Sequence, residues 1–324
     1  MSLLREITVN KNEDDQRLDR FLKKYLDDAP SSFIYKMIRK KNIKLNGKRA
    51  KPEDPIYEGD LIQLYLAEDT IEKFQREKEE IRSNIIPRII YEDENIILIN
   101  KEVGLLSHGA SGDFEENVVD SMISYLIQKE EYVPRIEKTF TPSICNRLDR
   151  NTSGIIIGAK NYEALKDINR AIRKGSIRRF YKTIVKGEVW EEFTDTAHLY
   201  KDEDKNLVSI KRFDTEGSKE IRTHVNPLAV RDGYSLLEIE LLTGRTHQIR
   251  GHLGSLGYPV IGDRKYGDEY VNNRFSDEYD LNNQWLHGYK VQFNGLEELE
   301  YLNGKEFTSK VDGKIGDIEA DLFK

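Results

Sequence analysis
The chain has 324 residues, 34% of them charged and 38% hydrophobic, with a formal net charge of −7. No apolar run approaches the 18 or so residues that a membrane-spanning helix needs, and the opening Met-Ser-Leu-Leu-Arg-Glu-Ile-Thr-Val lacks the layout of a signal peptide. The single cysteine, Cys145, excludes an internal disulfide, so a cytoplasmic protein of two ordinary-sized domains is expected.

The charge is unevenly spread. Residues 16–66 hold 12 basic and 7 acidic residues, a net of +5, and Pro30–Pro52 hold eight basic residues and no acidic one. Residues 16–28 place Leu18, Phe21, Leu22, Tyr25 and Leu26 on one helical face. Ser31 or Ser32 is expected to cap a second helix, with Phe33, Ile34, Met37 and Ile38 inward and Lys36, Arg39, Lys40 and Lys41 outward. A short strand Ile43–Leu45 meets Asn46-Gly47, a strong hairpin signal, and Gly59-Asp60 leads into a strand over Leu61–Leu66. A solvated charged face on a small helical domain would explain this pattern. The lack of any compensating acid favours a phosphate backbone as partner.

Two helices, a basic hairpin and a closing strand resemble the alpha-L RNA-binding module of the kind found in ribosomal protein S4, over about residues 14–67. Arg17-Leu18-Asp19 and Leu45-Asn46-Gly47 carry the resemblance. It implies that Lys36, Arg39, Lys40, Lys41, Lys44, Lys48 and Arg49 hold RNA backbone. The expected division is an RNA-binding domain over residues 1–70, a charged linker over 71–85 and a second domain over 86–324.

In the second domain, Arg88–Tyr91 and Asn95–Asn100 read as strands, Lys101–His108 as a loop and Asn117–Gln128 as a helix. Asn161 is expected to cap a helix carrying Leu165, Ile168 and Ile172, which Gly175 ends. Arg179–Gly187 alternates like a strand. Residues 201–206 read as a polar excursion, and 207–225 as a strand hairpin around Glu216-Gly217. Leu237, Ile239 and Leu241 alternate with Glu238 and Glu240, the pattern of a half-buried strand. Thr243–Arg250 turns into a helix ending near Gly254–Gly257, and two strands are expected around Leu286–Phe293 and Leu299–Leu302. Many strands with few helices between them indicate an α+β fold with a mixed, mainly antiparallel sheet.

One stretch joins chemistry to this framework. Asn146-Arg147-Leu148-Asp149-Arg150-Asn151-Thr152-Ser153-Gly154 precedes the apolar run Ile155-Ile156-Ile157-Gly158, and an arginine and an aspartate at the mouth of a buried strand are costly unless used or neutralised. Three more stretches fall in order around it. They are Ile97-Leu98-Ile99-Asn100-Lys101-Glu102-Val103-Gly104 with Leu105–His108, Arg179-Phe180-Tyr181-Lys182, and Thr243-Gly244-Arg245-Thr246-His247-Gln248-Ile249-Arg250 with the continuation to Gly267. Together, over roughly residues 86–310, they resemble the RluA-family pseudouridine synthases, which isomerise uridine in structured RNA. Two positions depart from the family's usual pattern: Asn146 stands where histidine is usual, and Lys101-Glu102 where Lys-Pro is usual.

The resemblance implies the roles. The reaction breaks the bond between ribose carbon 1′ and uracil nitrogen 1 and rejoins the base through carbon 5. No atoms enter or leave, so no cofactor and no metal are expected. Asp149 is the implied essential carboxylate, acting by attack on the sugar or by removal of a ribose proton. Arg250 pairs with it, and Tyr181 packs on the target base and takes the carbon-5 proton. Arg147 holds the target nucleotide out of its stack, His247 faces the RNA or supports the site, and Ile249 keeps water away. The expected partner is structured RNA, ribosomal RNA first, with no membrane and a monomeric chain. Two other readings carry different chemistry. A non-catalytic RNA-binding or ribosome-assembly protein has no need of a carboxylate facing phosphates, and a glycosidase usually wants two carboxylates or a metal. His247 and His252 are five apart, which does not align them as helical metal ligands.

Overall fold
The computed structural model describes residues 4–9, 11–75, 83–109, 115–132, 140–202 and 207–324. Residues 76–82 of the expected linker and 203–206 of the expected polar excursion lie outside them.

The first unit runs β1 (Leu4–Thr8), β2 (Gln16–Arg17), α1 (Leu18–Tyr25), α2 (Ser31–Arg39), β3 (Ile43–Leu45), β4 (Lys48–Arg49), β5 (Pro55–Ile56), β6 (Leu61–Tyr65) and α3 (Glu68–Lys73). Its four-stranded sheet has the order β1-β6-β3-β4, and the amphipathic helices close a core that includes Leu18, Phe21, Leu22, Ile34, Ile38, Ile62 and Leu64. Asn46 and Gly47 adopt φ of 50° and 75°, the twin positive angles of the tight hairpin turn that their identities predict. One expectation is corrected. Neither Ser31 nor Ser32 caps α2; Pro30 holds the N-cap position, with no side-chain cap bond. The charged stretch after Leu66 forms α3 at its start, and Ile71 and Phe74 pack on the first unit's core.

The second unit runs β7 (Ile89–Glu92), β8 (Ile96–Lys101), α4 (Val118–Gln128), β9 (Ser143–Ile144), β10 (Ser153–Ala159), α5 (Tyr162–Arg173), β11 (Arg178–Lys186), β12 (Phe193–Asp202), β13 (Leu207–Lys211), β14 (Lys219–Arg231), β15 (Tyr234–Leu241), α6 (Gln248–Ser255), α7 (Glu269–Tyr279), β16 (Leu286–Gln292), β17 (Glu306–Thr308) and α8 (Gly313–Phe323). An 11-stranded sheet has the order β13-β12-β14-β15-β11-β16-β10-β8-β7, with β17 beside β16 and β9 beside β10. The mixed, mainly antiparallel α+β fold read from the sequence is the fold observed, with β10 and β16 running parallel.

Both faces of the central strands are covered, which is why they read as unbroken apolar runs. On β8, Ile97 and Ile99 join a core with Met122 of α4 and Ile249 and Leu253 of α6, while Ile96 and Leu98 join another with Ile168 of α5 and Phe293. Asn161 and Asn117 cap α5 and α4 through their side chains.

Four expectations fail for identifiable reasons. The strands flanking Glu216-Gly217 do not pair with each other, because the ten-residue β12 lies between them and pairs with both. The strand expected to be half buried, β15, is covered on both faces: Glu240 is buried against Arg178, and Glu238 meets Tyr289 and Lys290. Glu300–Leu302 is a 3-10 turn, whose three-residue period puts Leu299 and Leu302 on one buried side. Finally, α7 and α8 stand where no helix was expected; α7 buries only Val271 and Phe275, too few apolar positions to show a periodicity.

Candidate active site
Asp149 lies on the turn that feeds β10, and two elements hold that turn. Ser107 Oγ donates to the Leu148 carbonyl at 2.6 Å and accepts from the Leu148 N–H at 3.0 Å. Lys101, at the end of β8 and almost wholly buried, donates to the carbonyls of Glu102, Leu105 and Arg150 at 2.8, 2.7 and 2.8 Å. Burial pulls its ammonium down to about 7, against the attraction of Asp149. The two departures from the family pattern have local answers. Asn146 donates to the Ile155 carbonyl and accepts from the Ile157 N–H, pinning its loop to β10. Glu102 is exposed and pairs with Arg88, while Lys101 and a bond from Gly104 N to the Arg150 carbonyl guide the loop in place of a proline ring.

Gly154 makes the entry into β10 workable. Its φ is +119°, and a Cβ there would lie 2.2 Å from the Gly288 carbonyl oxygen of β16. Only glycine permits this approach of two parallel strands.

Opposite the turn, α6 begins at His247, which adopts φ of 53°. The buried Arg250 donates through Nη1 to Asp149 Oδ2 at 2.9 Å. Its other edge is taken by Asp263: Nε donates to Oδ2 at 2.6 Å and Nη2 to Oδ1 at 2.9 Å. Burial works against the Arg250 charge, but the two carboxylates outweigh it and hold the guanidinium protonated. Tyr266 lies against the same guanidinium, 5.3 Å from ring centre to Cζ. Its oxygen accepts from the Val208 N–H at 2.8 Å and lies 2.9 Å from His247 Nδ1. On the other side of the ring, His247 Nε2 lies 4.0 Å from Asp149 Oδ2. Burial lowers His247 below the ordinary histidine range, with Asp149 opposing.

Tyr181 of β11 is buried in the floor, and burial raises its phenol above the ordinary range while Arg179 pulls the other way. One open pocket is lined by all six residues expected in the second domain, Arg147, Asp149, Tyr181, His247, Ile249 and Arg250, with Leu148, Thr152, Leu241, Arg245, Gln248 and Leu286. Arg147 is exposed at its rim and Ile249 is buried in its wall. Lys101, Ser107, Asp263 and Tyr266 belong to this assembly without having been expected in it, although all four stand in the quoted stretches.

The remaining candidates lie apart. Lys36, Arg39, Lys40, Lys41, Lys48 and Arg49 are exposed on the end of α2 and the β3–β4 hairpin, and none pairs with a carboxylate among the described residues. Lys44 is half-buried, its ammonium 4.7 Å from the centre of the Tyr65 ring. His252 points away from the pocket, with Nε2 2.6 Å from Asp195 and Nδ1 2.9 Å from Thr223 Oγ1. Burial pushes the Cys145 thiol up to about 12, against the thiolate form that a nucleophile needs.

The sequence matches the RNA pseudouridylate synthase family over residues 95–255 and the S4 domain family over residues 16–62. It is 33% identical over 260 residues to an uncharacterized RNA pseudouridine synthase of Aquifex aeolicus, covering 78% of each chain. It is 29% identical over 320 residues to the ribosomal large subunit pseudouridine synthase C of Haemophilus influenzae, covering 97% of this chain and 94% of that one. Among solved structures, human RNA pseudouridylate synthase domain containing 4 shares the fold, with a TM-score of 0.56 at 18% identity over 72% of this chain and 91% of its own.

Proposed function
Since the chain belongs to the RNA pseudouridine synthase family, in its RluA branch and with an S4 domain in front, we propose that it converts specific uridines of large-subunit ribosomal RNA to pseudouridine, with Asp149 as the essential carboxylate. The observation that carries this reading is the 2.9 Å pairing of Asp149 with a buried, doubly anchored Arg250 in the pocket that Tyr181 floors. The ribosomal target rests on the matching relatives together with the unpaired basic face of the S4 domain.

The target uridine leaves its stack and enters the pocket, with exposed Arg147 filling in at the rim. Asp149 acts on the ribose, by attack at carbon 1′ or by taking a ribose proton, and the bond to nitrogen 1 breaks. Arg250 fixes the carboxylate's direction through a charge-assisted hydrogen bond. Ile249, Leu286 and Leu241 keep the detached uracil from water while it turns. Carbon 5 then bonds to carbon 1′, the carbon-5 proton leaves, and nitrogen 1 gains a proton. The raised Tyr181 phenol keeps its own proton at neutral pH, so its first part is to face the base; it becomes a proton acceptor only if the bound intermediate and Arg179 together draw its proton away. We take the working unit to be a monomer. No helix among the described residues is long and apolar enough to cross a membrane, which fits work on ribosomal RNA in the cytoplasm.

The test is pseudouridine mapping of unmodified large-subunit ribosomal RNA incubated with the parent protein and with Asp149→Asn. New pseudouridine from the parent and none from the variant, with RNA binding retained, is the expected result. Turnover by Asp149→Asn close to that of the parent would remove Asp149 from its role, and a parent that leaves this RNA unchanged would remove the proposed target.

A further inference from the structure
The turn that carries Asp263 is built more heavily than a surface connection requires. Asp263 is fully buried, and its carboxylate accepts from the backbone N–H groups of Lys265 and Tyr266 as well as from Arg250. Asn272 of α7 clamps the turn from both sides, donating to the Asp263 carbonyl at 2.9 Å and accepting from the Gly262 N–H at 2.7 Å. Gly262 adopts φ of +74° and sits so near the Asn283 carbonyl that a Cβ would lie 2.2 Å from its oxygen. A buried carboxylate with these donors, on a turn that α7 clamps, is fixed before any substrate arrives.

Its fixed direction has two effects on Arg250. The guanidinium is planar, so committing Nε and Nη2 to Asp263 leaves Nη1 aimed at Asp149. The cation is also shared between two carboxylates, so the trio carries a net charge of −1. An unshared guanidinium would hold the Asp149 anion more tightly and make it less available to the ribose.

We propose that Asp263 is a positioning residue for the reaction, setting the edge of Arg250 that meets Asp149 and offsetting part of its charge so that Asp149 stays reactive. This rests on the reading of Asp149 as the essential carboxylate. Asp263 itself touches no substrate. Asp149 is also faced by His247 before α6, by Lys101 from β8, by Tyr181 from β11 and by Tyr266 beside Asp263, and all four groups are kept in the Asp263 variants.

The experiment uses full-length protein in excess over an unmodified large-subunit ribosomal RNA transcript tritiated at uridine carbon 5, and reads single-turnover tritium release against pH alongside RNA affinity. Asp263→Asn keeps the shape and removes the charge. The rate should fall about 100-fold, the scale of a mispositioned reacting group, with affinity unchanged within about twofold. The limb that rises as Asp149 ionises should move to lower pH, because Arg250 then acts on Asp149 without its counter-anion. Asp263→Glu restores the charge and should return that limb to its parental pH. A rate near the parent's in Asp263→Asn overturns the proposal. So does a slow Asp263→Asn with an unmoved limb, or failure of both variants to fold, either of which assigns Asp263 to structure alone. Asp149→Asn run alongside separates the two readings: activity there defeats the underlying assignment, and its inactivity with a near-parental Asp263→Asn defeats only this one.

Discussion
The role proposed for Asp149 needs its turn to stay in place, and the turn has few side-chain anchors. Lys101 is the strongest of them, because its three ammonium protons meet three carbonyls, one of them on Arg150, the residue after Asp149. Lys101→Met keeps the length of the stem and takes their donor from the Glu102 and Leu105 carbonyls, while the Arg150 carbonyl keeps its bond from the Gly104 N–H. Leaving buried acceptors unmet costs about 1–3 kcal/mol each, so a loss of about 2 kcal/mol or more is expected, a fall of about 4 °C or more in thermal melting for a unit of this size. Turnover on ribosomal RNA should drop further than stability alone explains. An unchanged melting temperature would show that water replaces the ammonium. At this scale the sequence is informative where chemistry is written into adjacent residues: Arg147 and Asp149 stand together before an apolar run, and Arg250 follows Thr-Gly-Arg-Thr-His-Gln-Ile. It is silent where partners meet only through the fold. A lysine after a run of isoleucines reads as the end of a strand, and Asp263 reads as a turn residue, because the carbonyls and the guanidinium they serve lie elsewhere in the chain.

At the scale of elements, the junction of β10 with β16 decides whether the site exists. Ser153 lies opposite His287 and Gly154 opposite Gly288, and Ser153 Oγ lies 2.8 Å from His287 Nδ1. Gly154→Ala puts a methyl group 2.2 Å from a backbone oxygen at a φ that L-residues avoid. The strands must separate, and a destabilisation of about 3 kcal/mol or more is expected, read as a drop in melting temperature with a larger loss of activity. Melting within a degree of the parent would mean that β10 and β16 are not held this closely. The sequence shows β8, β10 and β11 plainly, because double burial makes them continuous or alternating apolar runs. It shows α4 through its period and α5 through its period and the Asn161 cap. It hides α7, whose contribution is Asn272 on the Asp263 turn rather than an apolar stripe, and it hides the partnership of β12 with both β13 and β14, because strand order is set by sheet closure rather than by which strands are neighbours in sequence.

For the whole molecule, the division of charge is a division of labour. The net charge of −7 belongs to a chain whose first unit presents an unpaired basic face, and such a face gains affinity by releasing counterions from RNA. Removing the first unit, through Phe74 because α3 packs on its core, should weaken binding to ribosomal RNA. It should also flatten the dependence of log affinity on log salt by about 0.7–0.9 for each phosphate that is no longer neutralised. Turnover at saturating RNA should change little, since the residues around Asp149 all lie in the second unit. Equal slopes for the full and shortened chains would assign Lys36, Arg39, Lys40, Lys41, Lys44, Lys48 and Arg49 to solvent. The basic face and the mainly antiparallel sheet are legible in composition and patterning, which average over many residues. The parallel step at β10 and β16 is not, and it also sets the order of events in time. Ser153 and His287 are 134 positions apart, so the strand that fixes the Asp149 turn finds this partner only after all of the intervening chain has been synthesised. At about 5–20 residues per second that interval is about 7–27 seconds. The front unit, whose core closes by Phe74, has all its residues well before then. On the ribosome the protein therefore acquires its grip before its chemistry.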